Sequence, residues 1–404
     1  MNRRRWWIVA LLFLATTINY IDRQTLSVLG PTLRQQLHLS ESDYANIVTA
    51  FLVPYTIMYS GGGRLIDYLG ARVGLALSLG WWSIATMLTG LARSAFSLGA
   101  YRALLGIAEP CVFPAGIKTC TDLFAPKQRA LPIGIFSSGS AVGAVVAPPL
   151  VAWFTLQFGW RTAFLVPGLL GICWLPFWLL AHRGEGEAAA RHAPAARTPW
   201  RELLKRRTVW GLVLARFASD PVWYFYLFWL PDYLQRARHL SLREIAIYGW
   251  IPFLFGDFGG ISGGAISDWF IRRGVAAANA RFWSLLAVAC IAPVGAIVGF
   301  APSLASAIAV TCLVAYITQS WSTNTVALAS DVVPGEAVGT VTGMMGTAGS
   351  LGGALFAQLL GILIAGFGYR SAFIAAGLLH PIAIATLLTF LRPWRKTANA
   401  LPGV

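Results

Sequence analysis

Apolar residues along this chain come in runs of about 20, parted by short patches of charge, glycine or proline, rather than alternating with polar residues. Runs of that length suit membrane-spanning helices and do not suit the alternating strands of an outer-membrane barrel. The pattern predicts twelve spans, near 6–30, 44–63, 73–92, 97–119, 130–155, 162–181, 208–234, 246–267, 282–300, 304–328, 337–365 and 370–391. One long hydrophilic stretch, 182–207, divides them six and six and reads as a linker. The expected fold is an all-α polytopic membrane protein: a six-helix bundle over 1–181, a cytoplasmic linker over 182–207, a second bundle over 208–391 and a cytoplasmic tail over 392–404.

The two halves echo one another. Phe158-Gly-Trp-Arg161-Thr-Ala-Phe164 returns as Phe367-Gly-Tyr-Arg370-Ser-Ala-Phe373, an offset of 209, and Gly63-x-x-x-Asp67 returns as Gly264-x-x-x-Asp268, an offset of 201. Two parallel six-span repeats are the arrangement of carriers that rock about a central site near the bilayer midplane.

Composition agrees: 57% of residues are hydrophobic and 12% charged, about half the charge of a soluble domain, which excludes a soluble enzyme. The net charge of +15 is scattered over many short loops and forms no basic stripe, so no nucleic-acid partner is expected. With the amino terminus in the cytoplasm, 21 Lys and Arg fall on that side and 7 on the other, which places both termini in the cytoplasm. Arg3, Arg4 and Arg5 lead into an apolar run without a small-residue cleavage site, so that run reads as an uncleaved first span. The five cysteines lie in apolar runs, unpaired in spacing, and read as small core residues. There is no His-Glu-x-x-His pair and no phosphate-binding Gly-Lys loop; no metal, cofactor or direct use of ATP is expected, and the chain is read as a non-enzyme.

Seven ionisable residues sit inside spans: Asp22, Arg23, Arg102, Glu109, Arg216, Asp220 and Asp257. At about 3 kcal/mol each they oppose insertion by roughly 20 kcal/mol unless partners or water offset the cost. Arg102 and Glu109, seven apart, lie on one helical face, while the adjacent Asp22 and Arg23 diverge by about 100° around theirs. Two readings follow. One is salt bridging between helices; the other is an arginine that holds an anion while a buried carboxylate carries a proton, since a protonated acid leaves the group net positive and a deprotonated one leaves it neutral.

The loop sequence Gly63-Arg-Leu-Ile-Asp67-Tyr68-Leu-Gly70-Ala-Arg72, with its partial copy Gly264-Ala-Ile-Ser-Asp268-Trp-Phe-Ile-Arg272-Arg273, resembles the loop motif of the major facilitator superfamily. The resemblance makes Asp67, Arg72, Asp268 and Arg272 gating residues, although Tyr68 stands where the superfamily usually has arginine. Asn19-Tyr20-Ile21-Asp22-Arg23 and Tyr101-Arg102-Ala-Leu-Leu-Gly106-Ile-Ala-Glu109 are similar to motifs of its anion:cation symporter family. That similarity implies that Arg23 holds a substrate carboxylate, Arg102 balances the acids and also contacts substrate, Asp22 and Glu109 carry protons, and Tyr55 faces the substrate. It also implies a monomer.

The seventh span, from Ala215-Arg216 through Asp220-Pro221-Val-Trp223-Tyr224-Phe-Tyr226, looks most like the hexuronate transporter subgroup. Pro221 provides a kink, and Trp223 and Tyr224 offer flat faces with polar tips that suit a sugar ring; packing or interface anchoring is the competing reading for each. Arg216 and Asp220 are spaced to pair with each other. Ser140 and Ser350 lie in matching small-residue seams that serve close packing and can also present hydroxyls, and Asn324, with Gln319 and Ser322, makes the tenth span polar. Asp257 is a further candidate titrating group, and His380 reads as a packed core histidine. The expected function is proton-coupled import of a sugar-acid anion, first a hexuronate, across the inner membrane of a bacterium; import of another organic anion and proton-driven efflux are the alternatives. The expected partners are the small organic anion, protons and the lipid bilayer.

Overall fold

The computed structural model describes residues 3–124, 130–181 and 200–391, apart from the side chains of Ser60, Asp67, Ala130, Trp200, Gly335 and Glu336. Most of the expected linker, the tail 392–404 and the Asp67 carboxylate therefore lie outside the described residues.

The described chain is helical: α1 (Arg3–Leu37), α2 (Glu41–Gly90), α3 (Ala95–Ala108), α4 (Val112–Leu123), α5 (Ala130–Phe158), α6 (Thr162–Ala181), α7 (Trp200–Leu203), α8 (Arg207–Arg236), α9 (Leu242–Tyr248), α10 (Ile251–Arg272), α11 (Ala277–Ile291), α12 (Leu304–Val332), α13 (Gly335–Phe367) and α14 (Tyr369–Phe390). A 3-10 turn, Glu109–Cys111, joins α3 to α4, and a 3-10 stretch, Ala292–Phe300, extends α11. The second and third expected spans are one continuous element, broken only at Gly70, whose φ of 77° and ψ of 153° interrupt the helix with a single residue. Counting α2 as two and joining α3 to α4 and α9 to α10, the described helices supply all twelve expected spans. Nine described segments are long and apolar enough to cross a bilayer on composition alone. The first part of α2 and helices α1 and α8 do not qualify, and the latter two carry four of the buried charges.

The internal repeat is visible in local backbone structure. His38 and His239, 201 residues apart, are the described non-glycine residues with positive φ, at 52° and 59°, and each follows a helix end. Capping boxes then open the next helices, Ser40 with Asp43 and Ser241 with Glu244, again at an offset of 201. Two further boxes, Ser94 with Ser97 and Ser303 with Ser306, differ by 209. Gly159 and Gly368, also 209 apart, turn the chain with φ of 87° and 71° within the Phe-Gly-aromatic-Arg echo. At Asp43 the Ser40 hydroxyl, then its backbone N–H, hold the carboxyl below its ordinary range, so that cap is complete at neutral pH and weakens as pH falls through it.

The chain divides into two compact units. Unit 1 comprises residues 1–193 with Phe225–Phe253 and Ala354–Gly366; unit 2 comprises 194–224, 254–353 and 367–404. Within unit 1 small residues set the helix spacing. A Cβ on Gly106 of α3 would stand 2.3 Å from the Phe51 carbonyl oxygen of α2, and one on Gly139 of α5 would stand 2.4 Å from the Phe13 carbonyl oxygen of α1. Within unit 2, α13 lies as close to α8, where a Cβ on Gly352 would meet the Phe217 carbonyl oxygen at 2.1 Å.

Unit 1 also holds a four-charge clasp. Arg34 of α1 meets Glu41 of α2 at 2.8 Å and Asp232 of α8 at 3.5 Å, while Arg236 pairs with Glu41 and with Asp232 at 3.4 Å. Beside it the Tyr44 hydroxyl donates to the Phe228 carbonyl at 2.8 Å, and the Gln358 amide donates to the Thr49 hydroxyl at 2.7 Å.

Gly106→Ala should lower thermal stability in detergent by the overpacking cost of about 1–3 kcal/mol, whereas Gly134→Ala, with nothing within 4 Å of its Cβ, should not. The check is the temperature at which buried Cys111 and Cys120 become reactive to a thiol dye; equal midpoints for the two variants would refute the close contact.

Candidate functional site

Four charges meet inside unit 1. Asp22, Arg102 and Glu109 are at most 1% exposed and Arg23 is 6% exposed. They are carried by α1 and by the fourth span, which Pro110 interrupts: it cannot donate the helical hydrogen bond and its ring crowds the preceding turn, so the helix passes through 3-10 geometry where Glu109 sits. Arg23 donates to one Glu109 oxygen twice, from Nη2 at 2.6 Å and Nε at 3.1 Å. Its guanidinium also lies over the Tyr55 ring at 4.8 Å and near the Tyr20 and Phe51 rings at 5.1 and 5.7 Å.

Arg102 lies over the same Phe51 ring at 4.8 Å, with Nε and Nη2 making no hydrogen bond. Asp22 feels the charges of Glu109 and Arg102 and has the Thr86 hydroxyl beside it. The second oxygen of Glu109 is likewise unbonded. Two arginines and two carboxylates make the group neutral as a whole. It joins both readings drawn from the sequence: the interhelical ion pair exists, and polar atoms remain uncommitted around it. Tyr55 stacks on the arginine expected to bind substrate.

In unit 2 the expected residues spread out. Arg216, Asp220, Trp223 and Tyr224 are all partly buried on α8, spaced 4, 3 and 1 residues apart along one broad face. Arg216 pairs with Asp220 at 3.0 Å and donates to the Ser322 hydroxyl of α12 at 2.8 Å. Trp223 lies near Gly256 of α10 and Tyr224 near Gly353 of α13, where an added Cβ would meet their rings at 3.6 and 2.3 Å. Asn324 is 1% exposed and ties helices together: its amide donates to the Gly263 and Ser320 carbonyls at 3.0 Å each, and its oxygen accepts from Ser267 at 2.7 Å. Ser140 and Ser350 donate to carbonyls of their own helices, Ser137 at 2.7 Å and Gly346 at 2.9 Å. His380 is buried edge-on against Trp321, and Asp257 is partly buried.

The loop-motif residues divide likewise. Arg72 bonds the Leu179 carbonyl at 3.0 Å and accepts at its own carbonyl from the Trp178 indole at 2.9 Å, joining α2 to α6. Asp268 pairs with Arg281 of α11 rather than with Arg272, which is exposed at the end of α10. Arg281 also faces Asp331 of α12 at 3.7 Å and donates to Ser267. The sequence analysis did not single out Arg281, which precedes the expected span 282–300 and lies in the first turns of α11 in the structure. One serine does occupy a Gly-x-Ser-x-Gly pentapeptide, Ser262, but it lies within α10 and its hydroxyl bonds the Phe258 carbonyl at 2.6 Å, unlike a nucleophile presented at a sharp turn.

Comparison with known proteins identifies the family. The family model of the Major Facilitator Superfamily matches residues 12–357. A hexuronate transporter of Escherichia coli K12 is 30% identical over 98% of this chain and 94% of its own. A galacturonate transporter of Dickeya chrysanthemi is 34% identical over 64% of this chain and 80% of its own. Among solved structures, a bacterial homologue of the human lysosomal transporter Spinster, inward-facing and unoccupied, superposes with a TM-score of 0.76 at 22% identity, covering 96% of this chain and 95% of that one, which shows the shared fold. The chain belongs to the Major Facilitator Superfamily and is a multi-pass membrane transporter, not an enzyme.

Proposed function

We propose that the protein is a proton-coupled importer of a sugar-acid anion, a hexuronate such as glucuronate or galacturonate first, working by alternating access in a bacterial inner membrane with both termini cytoplasmic. The observation that carries this reading is the buried Arg23–Glu109 pair. A charged Glu109 and a substrate carboxylate compete for the same guanidinium fork. Protonating Glu109 removes its charge and weakens its hold, leaving the fork to grip a carboxylate through two charge-assisted hydrogen bonds. Return of the proton to the other side restores the internal pair and expels the anion. Asp22, sharing the field of Arg102 and Glu109, is the second proton carrier in this scheme, and Arg102 keeps the group from becoming negative. The names of the relatives, hexuronate and galacturonate transporters, support the substrate class. Trp223 supplies an aromatic face for the sugar ring, and no partner beyond substrate, protons and lipid is required of a monomer.

Proteoliposomes with an imposed inward proton gradient should accumulate radiolabelled glucuronate or galacturonate, and a protonophore should abolish the accumulation. Efflux of a cationic dye without acid uptake would instead make the four charges structural. A single proton per monoanion is electroneutral, so a potassium diffusion potential should leave uptake unchanged; two protons would make it respond, at about 2.3 kcal/mol per 100 mV.

Glu109→Gln should keep counterflow exchange and lose gradient-driven accumulation, a split that a merely structural role would not produce. Arg23→Ala should abolish equilibrium binding of hexuronate; because it strands Glu109 in the interior at a cost of about 3–5 kcal/mol, binding should also be measured in Arg23→Ala/Glu109→Gln, and affinity retained there would remove Arg23 from the site. Trp223→Ala should weaken hexuronate uptake several-fold more than uptake of a small linear acid.

A further inference from the structure

The proposed chemistry leaves unused the four-charge clasp of Arg34, Glu41, Asp232 and Arg236, which lies wholly within unit 1. Its place is set by α1. Arg34 follows Arg23 by eleven residues, three turns or about 16 Å along the axis, and so stands on the same helical face. Ser27 and Gly30 lie between them on that face, and each is closed over. The Ser27 hydroxyl donates to the Leu227 carbonyl of α8. A Cβ on Gly30 would stand 3.1 Å from the Tyr44 hydroxyl, which itself donates to the Phe228 carbonyl at 2.8 Å. Ser27, Leu227, Tyr44 and Phe228 are fully buried. From Arg23 outward, the face is thus covered by two buried layers and then by the clasp, where Arg34 lies over the Tyr44 ring at 4.5 Å.

The clasp also borders a hollow. Arg34, Gln35, Glu41, Gln235 and Arg236 line a cavity of about 550 Å³. Arg34 and Gln35 correspond to Gln235 and Arg236 at the repeat offset of 201, so this hollow lies between equivalent tips of α1 and α8, on the approximate twofold axis of the repeats. In a carrier built from two parallel repeats, the transport path follows that axis. A second hollow of about 540 Å³ shares Glu41 and Arg236 with the first, which makes their ion pair the wall between the two. The charges themselves were not duplicated: Glu41 corresponds to Leu242, and Asp232 to Pro31.

We propose that the clasp is an ionic lock on the mouth of the transport path at this end of α1: Arg23 becomes reachable from here only when Glu41 and Asp232 part from Arg34 and Arg236. Two acids and two arginines hold one another as a neutral set, whereas removing both acids leaves two like charges side by side. The inference rests on the transport reading and adds to it which contacts must break.

The test places a thiol beneath the lock. In the full-length Ser27→Cys carrier in detergent, alkylation by a charged maleimide is followed by mass spectrometry on the peptide carrying that thiol, with buried Cys111 and Cys120 as internal controls. With the clasp intact, the Ser27→Cys thiol should react far more slowly than in denatured protein. Adding Glu41→Gln/Asp232→Asn should speed it at least about tenfold, the scale of a close ion pair, while Cys111 and Cys120 stay protected; a general loosening would expose all three. Should those substitutions prevent folding, Arg34→Gln/Arg236→Gln removes the opposite charges and should give the same selective rise. Tyr44→Phe, which takes away one bond of the inner layers and no charge, should raise the rate less.

Reaction as fast behind an intact clasp as in denatured protein overturns the proposal. So does an unchanged rate in either double variant, or a rise shared with Cys111 and Cys120. Wild-type protein that accumulates no sugar acid removes the transport reading, and the lock on its path with it; an unmoved labelling rate in a carrier that accumulates hexuronate removes the lock alone.

Discussion

Four ionisable side chains in the interior of unit 1 set the terms for everything around them. A charge in a low-dielectric interior persists only with an opposite charge and hydrogen bonds close by. Arg23 therefore needs Glu109 at 2.6 Å, and that distance imposes local structure on three helical segments. Pro110 breaks the fourth span beside the carboxylate, Gly106 lets that span approach the backbone of Phe51, and Tyr20, Phe51 and Tyr55 surround the guanidinium with ring faces. The same charges explain why α1 fails a test of apolar composition while lying among the most buried helices of the unit.

Duplication did not copy these charges. Helix ends, capping boxes and turning glycines recur at offsets of 201 and 209, because both halves must start and stop their helices in the same way. At the same offsets, Asp22 and Arg23 correspond to Trp223 and Tyr224, and Arg102 and Glu109 to Thr311 and Thr318. Those two threonines donate to carbonyls one turn back on their own helix, at 2.8 Å each. One half thus concentrates charge where the other places aromatic faces and self-satisfied hydroxyls.

Much of this was legible in the sequence because hydropathy and charge are local properties. The spans and the intramembrane charges stand out against a uniform apolar background. A partner on the same helix was legible, as for Arg216 and Asp220, but a partner on another helix was not. Arg102 and Glu109 share a helical face at i,i+7, yet Glu109 bonds Arg23, because pairing depends on how α1 is rotated and on the 3-10 turn at Pro110. Polar residues in apolar helices were ambiguous for a related reason. Asn324 reads from sequence as a candidate ligand group, but in the fold its amide joins α10 to α12 through Gly263 and Ser267. Arg281 shows the reverse: not singled out from the sequence, it gathers Asp268 and Asp331 from two other helices. The repeated Ser-x-x-Asp and Ser-x-x-Glu caps were readable and needed only a search at the offset already found.

The group around Arg23 is neutral when both acids are ionised, so under the proposed mechanism a monoanion would enter without leaving net charge in the interior only with one proton. Two protons and a dianion satisfy the same balance, and nothing in unit 1 alone forbids that combination. In unit 2 a separate pair is satisfied within the protein: Arg216 holds Asp220 at 3.0 Å, and Gly349 leaves the space that this carboxylate fills.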